Sequence, residues 1–340
     1  MGAVLKHSSD FNLAREATLS SGLSPHTPGI TITRACGTGL DSLITVANKI
    51  AVGQIEAGIG GGSDTTSDVP IAVSKKLRRR LLDLNRARSL GERIKAALKG
   101  FSFGEFKPEF PGVAEPRTGK SMGESCEDMA KQWQIRREDQ DLLAYESHQK
   151  AAAAYARGFY SDLVMPLRGL DKDNILRPDT SLEKLATLKP AFDKRSGNGT
   201  LTAGNSTNLS DGASAALLSS EAWAQANGKE IQAYLVDAQV AAVDFVAGEG
   251  LLMAPAWAVA QLLKRNNLKL QDFDFYEIHE AFAAQVLCTL KAWESEEFCK
   301  TKLGMDGALG SIDRSKLNVV GSSLALGHPF AATGARIVAT

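Results

Sequence analysis

The chain has 340 residues, is 44% hydrophobic, and balances 39 basic against 39 acidic side chains. That length allows one large domain or two to three ordinary ones, with enough apolar residues for a sizeable core. The even charge points to no nucleic-acid partner. The four cysteines have neither CxxC nor metal spacing, and no apolar run reaches the ~18 residues of a membrane span.

The opening stretch MGAVLKHSSDFNLAREA lacks the apolar core of a signal peptide. The expectation is a soluble protein of a reducing compartment, cytoplasmic if its source is bacterial. Ile30 to Thr33 alternate as a strand does, after the Pro28–Gly29 punctuation. Beyond Cys36, the residues Leu40, Leu43, Ile44, Ala47 and Ile50 recur at helical spacing and predict a helix that stops near Gly53. Glu56 to Asp64, EAGIGGGSD, reads as a short buried strand entering a glycine turn. Strand, cysteine, helix, strand is an α/β signature.

The character changes near Asp68-Val69-Pro70. Lys75 to Lys99 is strongly basic, with Leu77, Leu81, Leu84 and Arg88 on one helical stripe and Ile94 and Leu98 on another. A phenylalanine-rich loop, GFSFGEFKPEFPG, follows. This segment reads either as a docking element for a membrane surface or partner, or as a solvated helix packed on its own domain. Helices are predicted at about Gly123–Trp133 and Arg137–Arg157, and a proline-bounded short helix in RPDTSLEKLATLKPAF. GTLTAGNSTNLSDGASAALLSS returns to strand and small-residue packing. From Ala233 on the pattern is again α/β, with AYLVDAQV, FDFYEI and LNVVGSS as strands and PAWAVAQLLKRNN as a helix.

Three residues carry candidate chemistry. Cys36 sits at a helix start, where the positive helix end lowers a thiol pKa and free N–H groups can hold an oxyanion; the bland alternative is a small buried hydrophobe. Of the five histidines, His7, His26 and His148 lie in polar stretches and read as surface residues. His279 and His328 instead stand at strand ends before helices, where α/β folds gather reactive groups. A Cys–His–His set suits acyl transfer through a thioester.

CGTGLDSL, LTAGNSTNLSDGASA, HEAFAAQ and GSSLALGHPFAATGAR, in that order, resemble the thiolase family. SDVPIAVSKKLRRRLLDLNRARSLGERI and RPDTSLEKLATLKPAF resemble the 3-ketoacyl-CoA thiolase subunits of fatty acid β-oxidation complexes. The resemblance implies duplicated α/β halves in an αβαβα arrangement. The first half would comprise residues 1–70 and 203–228, an inserted loop domain 71–202, and the second half 229–340. It implies Cys36 as the acylated nucleophile, His328 as the group that activates it, and His279 in the second oxyanion hole, where many thiolases have asparagine. Ser206 and Thr207 would lie along CoA. No metal or resident cofactor is implied, only CoA and acyl-CoA as substrates. Implied partners are a second copy of the chain and a hydratase/dehydrogenase subunit, with Lys75–Lys99 facing a membrane or partner.

Thiolases also use a second cysteine in a Cys–x–Gly motif, which the 340 residues do not contain. On the resemblance, the chain reads as the central part of a thiolase, lacking terminal strands at both ends. The alternative expectation is a catalytically deficient, thiolase-like chain with a binding or assembly role. A decarboxylating ketoacyl synthase also uses Cys–His–His, but HEAFAAQ is a thiolase context.

Overall fold

Residues Ala283–Glu294 are apolar on every side, and a helix of that kind belongs at the centre of a core. The computed structural model, which describes residues 1–340, places it there. The helices in chain order are α1 (Leu13–Ser20), α2 (Thr38–Ala51), α3 (Lys75–Arg86), α4 (Leu90–Leu98), α5 (Met122–Gln132), α6 (Arg137–Ala156), α7 (Leu182–Ala186), α8 (Glu221–Ala226), α9 (Ala254–Asn266), α10 (Ala283–Glu294), α11 (Glu296–Thr301), α12 (Ser323–Leu326) and α13 (Thr333–Ala339). The regular strands are β1 (Ala57–Asp64), β2 (Ala72–Val73), β3 (Pro108–Glu109) and β4 (Gly212–Ser219). The main apolar cluster surrounds α10 with residues of α5, α6 and α9, including Met129, Leu143, Leu263 and Trp293. Cys126 and Cys288 belong to it and Cys299 is buried beside it, so these three thiols serve as small core hydrophobes.

β1 pairs antiparallel with β4 in register Ala57 to Ser219 through Asp64 to Gly212, although the two strands are far apart in sequence. Glycine, alanine and serine dominate both, which lets α2 and α13 lie close on the sheet. On the other side of β1, Gly2 bridges in parallel to Gly62 and to Ile32. The alternating stretch Ile30–Thr33 is therefore held by a single isolated bridge rather than a full strand. Tyr276 and Leu317 likewise form one parallel bridge, so FDFYEI and LNVVGSS are extended segments with minimal pairing.

AYLVDAQV forms no strand. Its backbone makes no ladder with another segment, and it is tied to α9 by side chains instead. Arg265 donates to both carboxylate oxygens of Asp237 (2.7 and 2.8 Å) and to the Ala238 carbonyl (3.0 Å). Apolar alternation makes a strand only where a ladder partner is in reach.

The basic segment folds as the hairpin α3–α4, closed by β2 against β3. Its anchor is Arg80, the one buried residue of α3. Arg80 pairs with buried Glu105 at 3.0 Å and donates to the Ala96 and Ala97 carbonyls, which are orphan acceptors at the end of α4. Leu81, Leu90, Ile94, Leu98 and Phe103 remain exposed.

His148 corrects the surface reading. It lies on α6 with only 6% exposure, and its Nδ1 accepts the Arg177 backbone N–H at 3.2 Å. Burial first, and then the Arg177 charge, push its pKa down to about 4. The folded state therefore holds the neutral imidazole. The resulting stability is complete above the unfolded value of about 6.5 and is lost as pH falls from there through about 4. Melting temperatures measured over that range should fall more steeply for the wild type than for His148→Gln, whose amide can still accept the Arg177 bond. Parallel curves would contradict this assignment.

Candidate active site

The chain turns sharply into α2. Arg34 and Thr38 define the turn: the Arg34 carbonyl accepts from Gly37 N–H (3.0 Å), the Thr38 hydroxyl donates to the Ala35 carbonyl (2.6 Å), and it accepts from Arg34 N–H (2.7 Å). Ala35 sits in the left-handed region at φ 41°, a strained position for a residue with a side chain. This geometry lifts Cys36 out of the turn just before the first residues of the helix, with Gly37 as N-cap.

His328 reaches the same point from the other end of the chain. Its backbone N–H donates to the Asn208 carbonyl at 2.9 Å, in a parallel bridge with Leu209. Its Nε2 lies 3.0 Å from the Cys36 Sγ, and its Nδ1 lies 2.6 Å from the hydroxyl of buried Thr333. Close packing fixes this approach. A Cβ added at Gly39 would stand 2.3 Å from the Ala331 carbonyl oxygen, and one at Gly62 would stand 2.0 Å from the same atom. Asp64 completes the clasp by accepting the Ala331 N–H (2.8 Å) together with the N–H groups of Val4 (2.9 Å) and Leu5 (2.6 Å).

His279 stacks beside His328 with ring centroids 4.2 Å apart. Its Nδ1 is 2.7 Å from the Ser323 hydroxyl, and its Nε2 is buried without a protein partner. Neighbouring Glu280 holds the surrounding loops together. It accepts from Ser147 (2.7 Å), from the Asn318 amide (2.7 Å) and from the Leu324 N–H (3.2 Å). The Cys36 sulfur and one ring nitrogen each of His279 and His328 lie within 4.8 Å of one another, a spacing that would also permit metal ligation.

The electrostatics differ from the expectation for a helix-start cysteine. Burial pushes the Cys36 thiol up to about 11; its own backbone hydrogen bond opposes this and the Asp64 charge adds to it. Desolvation outweighs the helix end here. Burial, and then the Arg336 charge, bring His328 down to about 4. Burial lowers His279 strongly too, with His328 and Arg336 contributing. The resting pair is thus neutral thiol and neutral imidazole; for His328 to take the thiol proton, its Nε2 must be bare and its Nδ1 must carry the ring hydrogen. A proton moves only when a substrate supplies a place for the negative charge.

Ser206 lines a cavity of about 280 Å³ with Arg177, Lys184, Leu188, Asn208 and Leu324. Its hydroxyl is buried and unpartnered. The cavity adjoins the Cys36–His328–His279 cluster through Asn208, whose carbonyl accepts the His328 N–H. Thr207 is engaged otherwise, donating its hydroxyl to the Ser323 carbonyl at 2.5 Å. A larger surface hollow of about 670 Å³, bounded by Lys189, Asp193 and Lys194, contains none of these groups. Asp64, Thr38, Thr333, Ser323 and Arg336 had no role in the sequence reading. Of these, only Asp64 carried a signal, as an acid closing a buried glycine-rich strand.

Comparison with known proteins identifies the family and the fold. Residues 1–222 match the thiolase N-terminal domain and residues 229–340 the thiolase C-terminal domain. The chain is 44% identical to the 3-ketoacyl-CoA thiolase of Shewanella loihica, over 99% of this chain and 78% of the relative. It is also 44% identical to the 3-ketoacyl-CoA thiolase of Pectobacterium carotovorum, over 99% of this chain and 77% of that one. Among solved structures, human mitochondrial 3-ketoacyl-CoA thiolase in complex with CoA superposes with a TM-score of 0.78 at 30% identity, covering 100% of this chain and 77% of its own. Bacillus anthracis acetyl-CoA acetyltransferase superposes with a TM-score of 0.77 at 32% identity, covering 99% and 77%. The α/β architecture is the thiolase fold, and the chain belongs to the thiolase family of acyltransferases.

Proposed function

We propose that the protein is a 3-ketoacyl-CoA thiolase of fatty acid β-oxidation in which Cys36, His328 and His279 carry the acylation chemistry. The observation that carries this reading is the 3.0 Å contact between Cys36 Sγ and His328 Nε2, beside a second imidazole with a free nitrogen. Cys36 sulfur attacks the 3-keto carbon while its proton passes to His328 Nε2. Breaking the C2–C3 bond leaves an acyl-cysteine and the enolate of acetyl-CoA. His279 Nε2–H suits that enolate oxygen, and the Cys36 N–H suits the tetrahedral oxyanion, since the Gly37 and Thr38 N–H groups already donate to the Arg34 and Ala35 carbonyls. CoA thiol then attacks the thioester and leaves as an acyl-CoA shortened by two carbons. The residues described here account for the acylation half; the protonation of the enolate is assigned to none of them.

The cavity beside Asn208 is proposed to receive CoA. Arg177 and Lys184 at its rim suit phosphate groups, and the free Ser206 hydroxyl suits an amide of the pantetheine arm. Residues 1–70 with 203–228, 71–202, and 229–340 are proposed as the two halves and the loop domain. The pairing of β1 with β4 across the insertion supports that division. A homodimer is part of the same reading; exposed Ile59 and Leu217, cross-strand partners on the β1–β4 pair, suit an interface.

The α3–α4 hairpin is proposed to rest on an anionic membrane surface beside a hydratase/dehydrogenase subunit. Leu90 at 75% and Phe103 at 84% exposure present apolar side chains among many cations. No helix is long and apolar enough to cross a membrane.

Incubation with a 3-ketoacyl-CoA and CoA should give acetyl-CoA and the two-carbon-shorter acyl-CoA in equal amounts by mass spectrometry. His328→Ala should slow this by about 10²–10⁴-fold. Decarboxylation of a malonyl thioester instead would contradict the thiolase reading. For the hairpin, the protein should co-sediment with phosphatidylglycerol vesicles at low salt and be released by salt or by Leu90→Ser with Phe103→Ser. Failure of the wild type to bind would leave this face to a protein partner.

A further inference from the structure

Two imidazoles 4.2 Å apart are asked to do opposite things. His328 must accept a proton through Nε2, and His279 must donate one through Nε2. A neutral imidazole does one or the other according to its tautomer, which is set by the partner of its remaining nitrogen. We infer that Ser323 and Arg336 are positioning residues that lock His279 in the Nε2–H tautomer, opposite to that of His328. This rests on the reading of His279 as a hydrogen-bond donor to substrate.

The argument is a count of donors and acceptors. Arg336 Nη2 lies 2.8 Å from Ser323 Oγ, and a guanidinium can only donate. Ser323 Oγ therefore accepts from Arg336 and keeps its own hydrogen to give away. Its one remaining partner is His279 Nδ1 at 2.7 Å. If Ser323 donates there, Nδ1 is a bare acceptor and the ring proton sits on Nε2, which is buried and unpartnered within the protein. The opposite tautomer would leave the serine hydroxyl without an acceptor and point a lone pair at the developing enolate. With a substrate oxygen at Nε2 the Nε2–H tautomer meets every donor, whereas the opposite tautomer leaves the serine hydrogen unmet and sets two lone pairs against each other.

His328 has the complementary arrangement. To take the Cys36 proton its Nε2 must be bare, which puts the ring hydrogen on Nδ1, towards the Thr333 hydroxyl. The two hydroxyls differ in one respect: Arg336 already donates to Ser323, which leaves Ser323 to donate onward, whereas Thr333 has no second partner and can accept. Arg336 also stands as a fixed cation near both rings, so a second positive charge on either is disfavoured. Its own charge is faced by Glu277, Glu280, Asp173 and Tyr160.

The five histidines make the test practical in full-length protein labelled with imidazole-¹⁵N histidine. Long-range ¹H–¹⁵N spectra, with His279→Gln used to assign the signal, should show His279 with its proton on Nε2. Ser323→Ala should convert it to a mixture of tautomers and lower kcat by about ten- to a hundredfold, short of the ~10²–10³ for outright loss of an oxyanion donor, with KM little changed. Ser323→Thr, which keeps the hydroxyl, should restore both. An Nδ1–H signal in the wild type, or an unchanged tautomer in Ser323→Ala, would overturn the inference whatever the activity. The expected tautomer in a protein that performs no thiolysis would leave the lock standing and count against the functional reading instead.

Discussion

The contact between Cys36 and His328 spans 292 residues of sequence, and much of the fold can be understood as the means of making it. Cys36 stands just before α2 and His328 on a loop before α13, and the segments that follow both pack on β1. Ser42 of α2 is hydrogen-bonded with both N–H and C=O of Gly61 (2.7 and 2.8 Å), which pins the helix to the strand. Asp64 at the end of the same strand holds Ala331, three residues beyond His328. Glycine at positions 39 and 62 is what lets the Ala331 carbonyl come so near. Misplacement by about 1 Å can cost a hundredfold in rate, so these remote-looking contacts are part of the chemistry.

The second constraint is neutrality. The half-buried Cys36 thiol, the half-buried His279 and the buried His328 are held uncharged, beside the charged Arg336. Glu277 is pushed up to about 7, by burial first, with Glu280 adding to it and Arg336 opposing. Glu280 is raised by burial as well, although three donors satisfy it. An ion pair of thiolate and imidazolium would be costly before substrate arrives. In the proposed reaction the negative charge passes to substrate oxygens rather than resting on the sulfur, and a difference of that kind between resting and reacting states is what lowers a barrier.

The catalytic elements were legible because each lies in a compact local pattern. CGTGLDSL has the periodicity of a helix start, and Gly–His–Pro and His–Glu–Ala–Phe mark turns at the ends of apolar runs. The helices α2, α5, α6 and α9 follow from spacing and caps; Ser121 and Glu124, for example, form a reciprocal capping box. What escaped was whatever depends on a distant partner. AYLVDAQV has a strand's alternation but no ladder neighbour. His148 sits in a polar stretch, yet α6 turns it inward. The thiol pKa followed burial, which local sequence does not report, rather than the helix end, which it does. Ser323 looks like any small residue until Arg336 and His279 close on it from two other segments.

The most direct test of this account is the intact mass of the protein after mixing with a 3-ketoacyl-CoA in the absence of added CoA, alongside Cys36→Ser. The account predicts that the wild type gains the mass of one acyl group, located on Cys36 by peptide mapping, and that the variant gains none. A folded wild type that gains no acyl group, or an equal adduct on Cys36→Ser, would contradict it.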